Sequence, residues 1–577
     1  MDMTYMTMRA YLYPREQQQT VSFKQHELEQ VWFCTSKNVK RLLKKYQESG
    51  LFVYEPGRGR GNASKLHFGD SFHEEVTTYV NTLIQKDQME QVIKLLQLNI
   101  PKQWVTELSG EIQTLFGFHN NQKKGDVLRS IVARELTTLD PLYTSVTLES
   151  YLIHQLSDTL VLYDQIADKI KPHLAHHWVV SDDYAEWTFY LRKGVKFHHQ
   201  VELTGLDVVH TFTRFQFSNS PLSWLVNDIV AVEAISDYTV RFMLAKPNPF
   251  FLRYLTTYSL GILPRDIPFD EYKWIGTGPF QLKERTDRKL SLAAFNDYFL
   301  DRPLLDEVEF WKIPEGSLPA ATFQIEGRET SAEVHEYEEI EVGFRMLAFN
   351  FHRPTAVQDP SFRQAIYHLV DVEKMFKELG RDKPIAASSY FHWISEKQEK
   401  QSGVIKQLLE QSAYRGEAIQ LYSLDYEKAI DEAKWIVREG RKYGIQFVHN
   451  TMSIEAMYDD HLEQQVDLIL FGEVASNDYQ LSFLESFNNK ALMFRRLFDA
   501  EHLAWIDRQL EEFKWAESSA TRIDIIKAIE AYIRSNQLLL YLFHPIKRRT
   551  FHPMIKSVHF EAYGQINLRK LWIPVEE

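Results

Sequence analysis

Cysteine is nearly absent. Cys34 is the only one in 577 residues, so no intramolecular disulfide can hold the chain and ordinary apolar cores must. Long apolar runs are missing too. The longest, around Leu538-Leu539-Leu540-Tyr541-Leu542-Phe543, falls far short of the roughly 18 residues a membrane span needs. Residues 1–9 hold no basic cluster followed by an apolar stretch, and no cysteine for a lipid, so the chain is expected to be uncleaved and cytoplasmic, with no membrane partner. Basic charge is in deficit, with 66 Lys+Arg against 79 Asp+Glu and a net charge of −13, which excludes a general nucleic-acid coat. What remains is ordinary globular material, 44% hydrophobic and 25% charged, long enough for about three to five units.

The basic residues are unevenly placed. Between Ser36 and Lys65 stand Lys37, Lys40, Arg41, Lys44, Lys45, Arg58, Arg60 and Lys65 against only Glu48 and Glu55. A small cationic segment on a large acidic body is the layout of a DNA-binding head. Val39, Leu42, Leu43 and Tyr46 recur at i, i+3, i+4 and i+7, which predicts a helix capped near Thr35 or Ser36 and ended by Gly50 in a left-handed C′ position. Residues 23–31 read as a shorter helix, with Trp32-Phe33-Cys34 as the turn between the two and Cys34 packed inside it. Leu51-Phe52-Val53-Tyr54-Glu55 and Ser64-Lys65-Leu66-His67-Phe68 read as strands joined through a glycine- and arginine-rich tip, 56–63. Helix, turn, basic helix and hairpin compose a winged helix-turn-helix, so duplex DNA is the expected partner. Its contacts are expected from Ser36, Lys37, Asn38, Lys40, Arg41, Lys44 and Lys45 on the helix, and from Arg58, Arg60, Asn62, Ser64 and Lys65 in the wing.

Apolar spacing from Val76 to Leu115, broken at Pro101, predicts a helical connector over 70–125, with a homodimer through its surface left open. Beyond it, short β-rich runs alternate with helices over some 450 residues, an α/β pattern. Adjacent histidines at His176-His177 and His198-His199 point apart on a strand or helix, so no metal site is expected. Nothing calls for a cofactor or for catalysis: there is no nucleophile elbow, no His-Glu-x-x-His helix and no glycine-rich dinucleotide fingerprint.

Within this region phrases occur in a fixed order. They include Thr137-Thr138-Leu139-Asp140-Pro141, Leu191-Arg192-Lys193-Gly194-Val195-Lys196-Phe197-His198, Gly276-Thr277-Gly278-Pro279-Phe280, Phe349-Asn350 and Phe362-Arg363-Gln364-Ala365-Ile366. Together they resemble the family 5 solute-binding proteins, the dipeptide and oligopeptide type that serves ABC importers. Joined to a winged head, the whole chain resembles the SgrR-type transcriptional regulators. The resemblance implies a two-lobed, periplasmic-binding-protein-like (type II, cluster C) domain, with lobe I at 126–345 and 541–577, lobe II at 346–540, and the head at 1–69. It further implies a ligand-responsive regulator whose ligand is a sugar, sugar phosphate or short peptide. Tyr143 and Asn350 are candidate ligand contacts, and the acid that holds a peptide's amino terminus in peptide-binding members corresponds to Glu473 or Asp478. The other reading is a solute-binding protein of a peptide importer with an atypical N-terminus.

Overall fold

The computed structural model describes residues 1–57, 63–113, 115–121, 125–132, 135–313, 322–323, 335–454, 456, 459, 461–476, 478–561 and 565–574. The wing-tip residues Arg58, Arg60 and Asn62 lie outside them.

The head opens with a helix the periodicity does not announce. In α1 (Met3–Leu12), the Asp2 carboxylate accepts from the Tyr5 N–H at the N-cap, and six of the ten residues are buried. One of them is Arg9, which donates to Glu75 at 2.6 Å, pairs with Glu16 and lies 3.5 Å over the Phe68 ring. Strand β1 (Thr20–Phe23) leads into α2 (Gln25–Val31), so Phe23 ends a strand rather than starting the helix. The basic helix α3 (Ser36–Glu48) buries Val39, Leu43 and Tyr46, three of the four residues of the predicted stripe, with Leu42 half-buried against the same core. Gly50 follows at φ +74°, the left-handed stop its lack of a side chain permits. β2 (Phe52–Glu55) pairs antiparallel with β3 (Ser64–Phe68) from Phe52↔Phe68 to Glu55↔Lys65, and the three strands form a sheet ordered β1-β3-β2.

The helices expected as a connector are α4 (Phe72–Gln85), α5 (Met89–Leu96), α6 (Lys102–Glu107) and α7 (Ser109–Gln113). They share one apolar core with the head: Val76, Val80, Leu83, Val92 and Ile93 pack with Tyr5, Val39 and Leu66, and the same core reaches Trp311 and Ile313. After α7 the chain turns to strands, β4 (Gly117–Asn121) and β5 (Gly125–Val132), at one edge of a five-stranded sheet. At this junction Arg129 makes a two-pronged pair with Asp87 at 2.5 and 2.8 Å and donates to Glu309 at 3.0 Å. Asp87 sits in the turn between α4 and α5, so one guanidinium ties the head's helices to the sheet behind them.

The body has two lobes. The first holds the five-stranded sheet and a four-stranded antiparallel sheet; the second is built on a six-stranded mixed sheet, flanked by helices such as Pro360–Leu369 and Glu427–Lys442. Two antiparallel strands on each side make the crossing. His335–Ile340 pairs with Ile546–Phe551 in lobe I, and Gly343–Phe349 pairs with Leu539–His544 in lobe II. The hinge therefore falls at 341–342 and 545, a few residues from the expected crossings near Met346 and Tyr541, because the strands Gly343–Phe349 and Leu539–His544 that flank it already belong to the lobe II sheet. At the hinge Glu341 N–H donates to the Pro545 carbonyl at 2.9 Å, and His544 Nδ1 donates to the Gly343 carbonyl at 2.5 Å. Gly343 has φ +150°, and a Cβ there would stand 2.1 Å from the Glu473 carbonyl oxygen. Gly343→Ala is accordingly expected to strain the hinge by about 1–3 kcal/mol and lower the thermal unfolding midpoint of the full chain. An unchanged midpoint would show that the strands shift apart at no cost.

Among the described residues no helix is long and apolar enough to cross a membrane.

Candidate functional site

Two surfaces combine the residue types that recognition chemistry needs. The first is the outer face of α3. Ser36, Lys37, Asn38, Lys40, Arg41, Lys44 and Lys45 are exposed there, and Lys65 is exposed on β3. Lys45 is held at 2.7 Å by Asp2 and Lys44 lies 3.7 Å from Glu48, whereas among the described residues Lys37, Lys40 and Arg41 form no ion pair. Ser64 is buried. Its hydroxyl takes the Gly57 N–H at 3.1 Å and lies 3.3 Å from Tyr54 Oη, which makes it a clasp at the base of the wing. Cys34 is half-buried against the head core, while its neighbour Phe33 stands almost wholly in solvent at φ +46°.

The second surface is the cleft between the lobes, a cavity of about 880 Å³. Lobe I lines it with Thr144, Ser145, Ser150 and Tyr258; lobe II contributes Phe344, Arg345, Tyr426, Phe471, Glu473 and Glu485. Of the four expected ligand contacts only Glu473 faces this space. Tyr143 is exposed on a separate depression beside Phe269 and Tyr272. Asn350 is fully buried, and its amide donates to the Glu463 and Val466 carbonyls at 2.7 Å each, which fixes a loop of lobe II. Asp478 is buried at the N-cap of the helix Tyr479–Asn488, where it accepts from the Leu481 N–H at 2.9 Å. Both its oxygens are bound by Arg253 of lobe I, whose guanidinium also lies 3.2 Å from Asp168 and 3.8 Å over the Tyr163 ring. Asp478 thus bridges the lobes with its charge already matched.

Glu473 and Glu485 face the cavity and are otherwise enclosed by protein. Burial pushes Glu473 up to about 8, helped by the neighbouring Glu485, and burial pushes Glu485 up to about 7. Near neutral pH Glu473 leans toward the neutral carboxylic acid, able to donate as well as accept a hydrogen bond, and Glu485 is divided between its two forms. A carboxyl whose native affinity for a proton exceeds its unfolded one stabilises the fold fully below the unfolded value of about 4.5, and that stability drains away as pH rises through the native value. Buried His198 and His544, both near 4, act only below about 6.5, where the unfolded chain takes up the proton instead. Between pH 6.5 and 7.5 the thermal midpoint is therefore expected to fall, with Glu530, raised to about 7, adding to the trend and Lys400, whose ammonium burial pushes down to about 7, opposing it as pH rises further. The Glu473→Gln/Glu485→Gln variant is expected to flatten that fall, and equal slopes in the two proteins would refute the assignment.

Sequence reasoning passes over Arg345 and Glu485. Arg345 sits inside the run Gly343-Phe344-Arg345-Met346-Leu347-Ala348-Phe349, which reads as a plain core strand, and the signal that marks it is a lone cation in a fully buried strand. His176 and His177 are exposed on the strand Ala175–Val180, whereas the second histidine pair is engaged. The buried His198 ring accepts from the Gly276 N–H through Nδ1 and donates to the Gly278 carbonyl through Nε2, and His199 pairs with Asp266. Among the described residues no group of three His, Cys, Asp or Glu side chains is placed to hold a metal ion.

Two family models match the chain. Residues 169–493 match the bacterial extracellular solute-binding proteins, family 5 middle region, and residues 3–116 match the N-terminal region described as that of a sugar transport-related sRNA regulator. The chain is 28% identical over 561 residues to the uncharacterized protein YhjP of Bacillus subtilis, with 95% of each chain covered. It is 29% identical over 316 residues to the HTH-type transcriptional regulator SgrR of Pectobacterium atrosepticum, covering 52% of this chain and 55% of that one. Among solved structures, a dipeptide-binding protein of Pseudoalteromonas in complex with Met-Leu superposes with a TM-score of 0.67 at 20% identity, covering 78% of this chain and 100% of that one. The oligopeptide-binding protein AppA of Bacillus subtilis, in complex with a nonapeptide, gives a TM-score of 0.67 at 20% identity, covering 78% and 99%.

Proposed function

Because the chain belongs to the family 5 bacterial solute-binding proteins and carries an N-terminal domain of the SgrR type, we propose that it is a cytoplasmic one-component transcriptional regulator. The head grips duplex DNA through α3 and the wing, and the cleft captures a small solute: a sugar, a sugar phosphate or a short peptide. One observation carries this reading. On a chain of net charge −13, the helix that follows the turn presents Lys37, Lys40 and Arg41 outward, and among the described residues no acid neutralises them. An importer subunit has no use for such a face. Lobe closure on a solute supplies the bistable element a regulator needs, since a ligand shifts it only by binding the closed form better than the open one.

The test is a titration of the full chain into a short mixed-sequence duplex at salt concentrations from about 50 to 200 mM. Five phosphate contacts from α3 and Lys65 give an expected log–log slope of about −4.5. A slope near zero, together with recovery of the protein outside the cytoplasm on fractionation, would favour the importer reading.

A further inference from the structure

Arg345 stands opposite Gly472 on the strand Gly343–Phe349, on the same face as Leu347 and Phe349, which pack into the lobe II core. It lines the cavity, is 8% exposed, and its Nη2 has no hydrogen-bond partner. The carboxylate of Glu432 lies 3.6 Å from Nε, beyond hydrogen-bond length, and its other oxygen accepts from Arg381 at 2.7 Å. Arg381 is further served by Asp431 at 3.6 Å and by the Lys428 carbonyl at 3.2 Å. The Tyr426 ring, 5.4 Å away, gives Arg345 only a weak contact. Space has been kept for this side chain: a Cβ at Gly472 would stand 3.1 Å from Arg345 Cδ and 3.3 Å from Nη1.

The charges around the cavity do not cancel. Glu341 pairs with Lys547, Asp382 with Arg548 and Glu432 with Arg381. Lys383 and Lys428 are exposed and, among the described residues, form no ion pair. The other two acids on the wall, Glu473 and Glu485, lean toward their neutral forms as pH falls toward neutrality. Lys383 and Lys428 thus face the space with no counter-charge among the described residues, and Arg345 with only the loose pair to Glu432, whose nearer oxygen also has no hydrogen-bond partner. A buried guanidinium with an unsatisfied nitrogen is costly unless a partner comes to it.

We propose that Arg345 anchors an anionic oxygen group, phosphate or carboxylate, on the solute the cleft captures, with Lys383 and Lys428 supplying the surrounding positive field. A planar fork of donors suits either anion and can bind it through two parallel hydrogen bonds. The assignment rests on the cleft being the ligand site, and it says which solutes enter: those with an oxyanion, not free sugars.

Calorimetric titration of the full chain tests it with five probes: orthophosphate, a hexose phosphate, succinate, the unphosphorylated hexose and a dipeptide amide. At least one of the first three is expected to bind, and comparing them separates a phosphate from a carboxylate source. Arg345→Gln is expected to weaken that probe by about ten- to a hundredfold, the worth of a charge-assisted pair. Since Arg345 is buried, the exposed variant Lys383→Ala/Lys428→Ala provides a second reading free of folding damage. It is expected to weaken the same probe severalfold and to flatten the salt dependence of binding. An anion that binds equally well to Arg345→Gln overturns the anchor. Binding of the hexose or the dipeptide amide with all three anions silent overturns the anchor and leaves the sensor reading standing. Silence of all five probes overturns both.

Discussion

The variant Lys37→Ala/Lys40→Ala/Arg41→Ala is expected to hold duplex DNA about a hundredfold more weakly than the unmodified chain near physiological salt. Each lost phosphate contact removes about 0.9 from the salt slope, so three contacts flatten it by nearly three units and cost about two decades of affinity at 150 mM. These three residues are the ones to change because their charge is unspent. Lys45 is tied to Asp2 and Lys44 lies near Glu48, so removing either alters ion pairs of the head as well as the charge of α3. All three stand on the exposed face of α3, away from Val39, Leu43 and Tyr46, and the fold of the head is expected to survive. Fluorescence anisotropy across a salt series reads both numbers, and an unchanged slope would remove α3 from the interface.

The second large effect is expected at Arg253. Truncation to alanine leaves Asp478 buried between the lobes with, among the described residues, one backbone N–H as hydrogen-bond partner and Arg522 as a nearby cation, and breaking a buried ion pair in this way costs about 3–5 kcal/mol. The loss falls on the contact between lobes. Expected results are a larger radius of gyration by small-angle scattering and faster amide exchange in the helix Tyr479–Asn488. Arg253→Met/Asp478→Leu, which removes both charges, is expected to recover most of the stability. Unaltered scattering and exchange in the single variant would mean that the remaining interlobe contacts, such as the ring pair Phe250–Phe513, are sufficient. The same geometry bears on the ligand. An aspartate that already neutralises an arginine is poorly placed to hold a peptide's ammonium group, which leaves Glu473 as the acid of the expected pair that meets the cavity.

What could be read from the sequence follows the range of the interactions. The turn, the basic helix, its end at Gly50 and the hairpin were legible because each depends on residues within a few positions of one another, and strands 52–55 and 64–68 fall within a residue of expectation. Helix α1 was not, because Arg9 looks solvent-directed until Glu75, 66 residues away, closes on it. The same holds for Asp478, whose partner lies 225 residues back, and for Arg345, whose setting is assembled from Gly472, Glu432 and Arg381. The ordered phrases of the body located the family and the two lobes, yet Asn350 within them proved to brace a loop rather than to line the cleft, since its amide is consumed by carbonyls more than a hundred residues later.

The clasp at Arg129 has a consequence for how such a molecule is switched. Helices α4 and α5 share the head's core and are fastened at Asp87 to a strand of the first lobe, so excising the expected connector, 70–125, would dismantle the head itself. Release of the single guanidinium is the gentler cut. If the chain is the regulator proposed above, influence between the two ends runs both ways: whatever factor a captured solute lends to the grip on an operator, the operator must return, undiminished, to the grip on the solute.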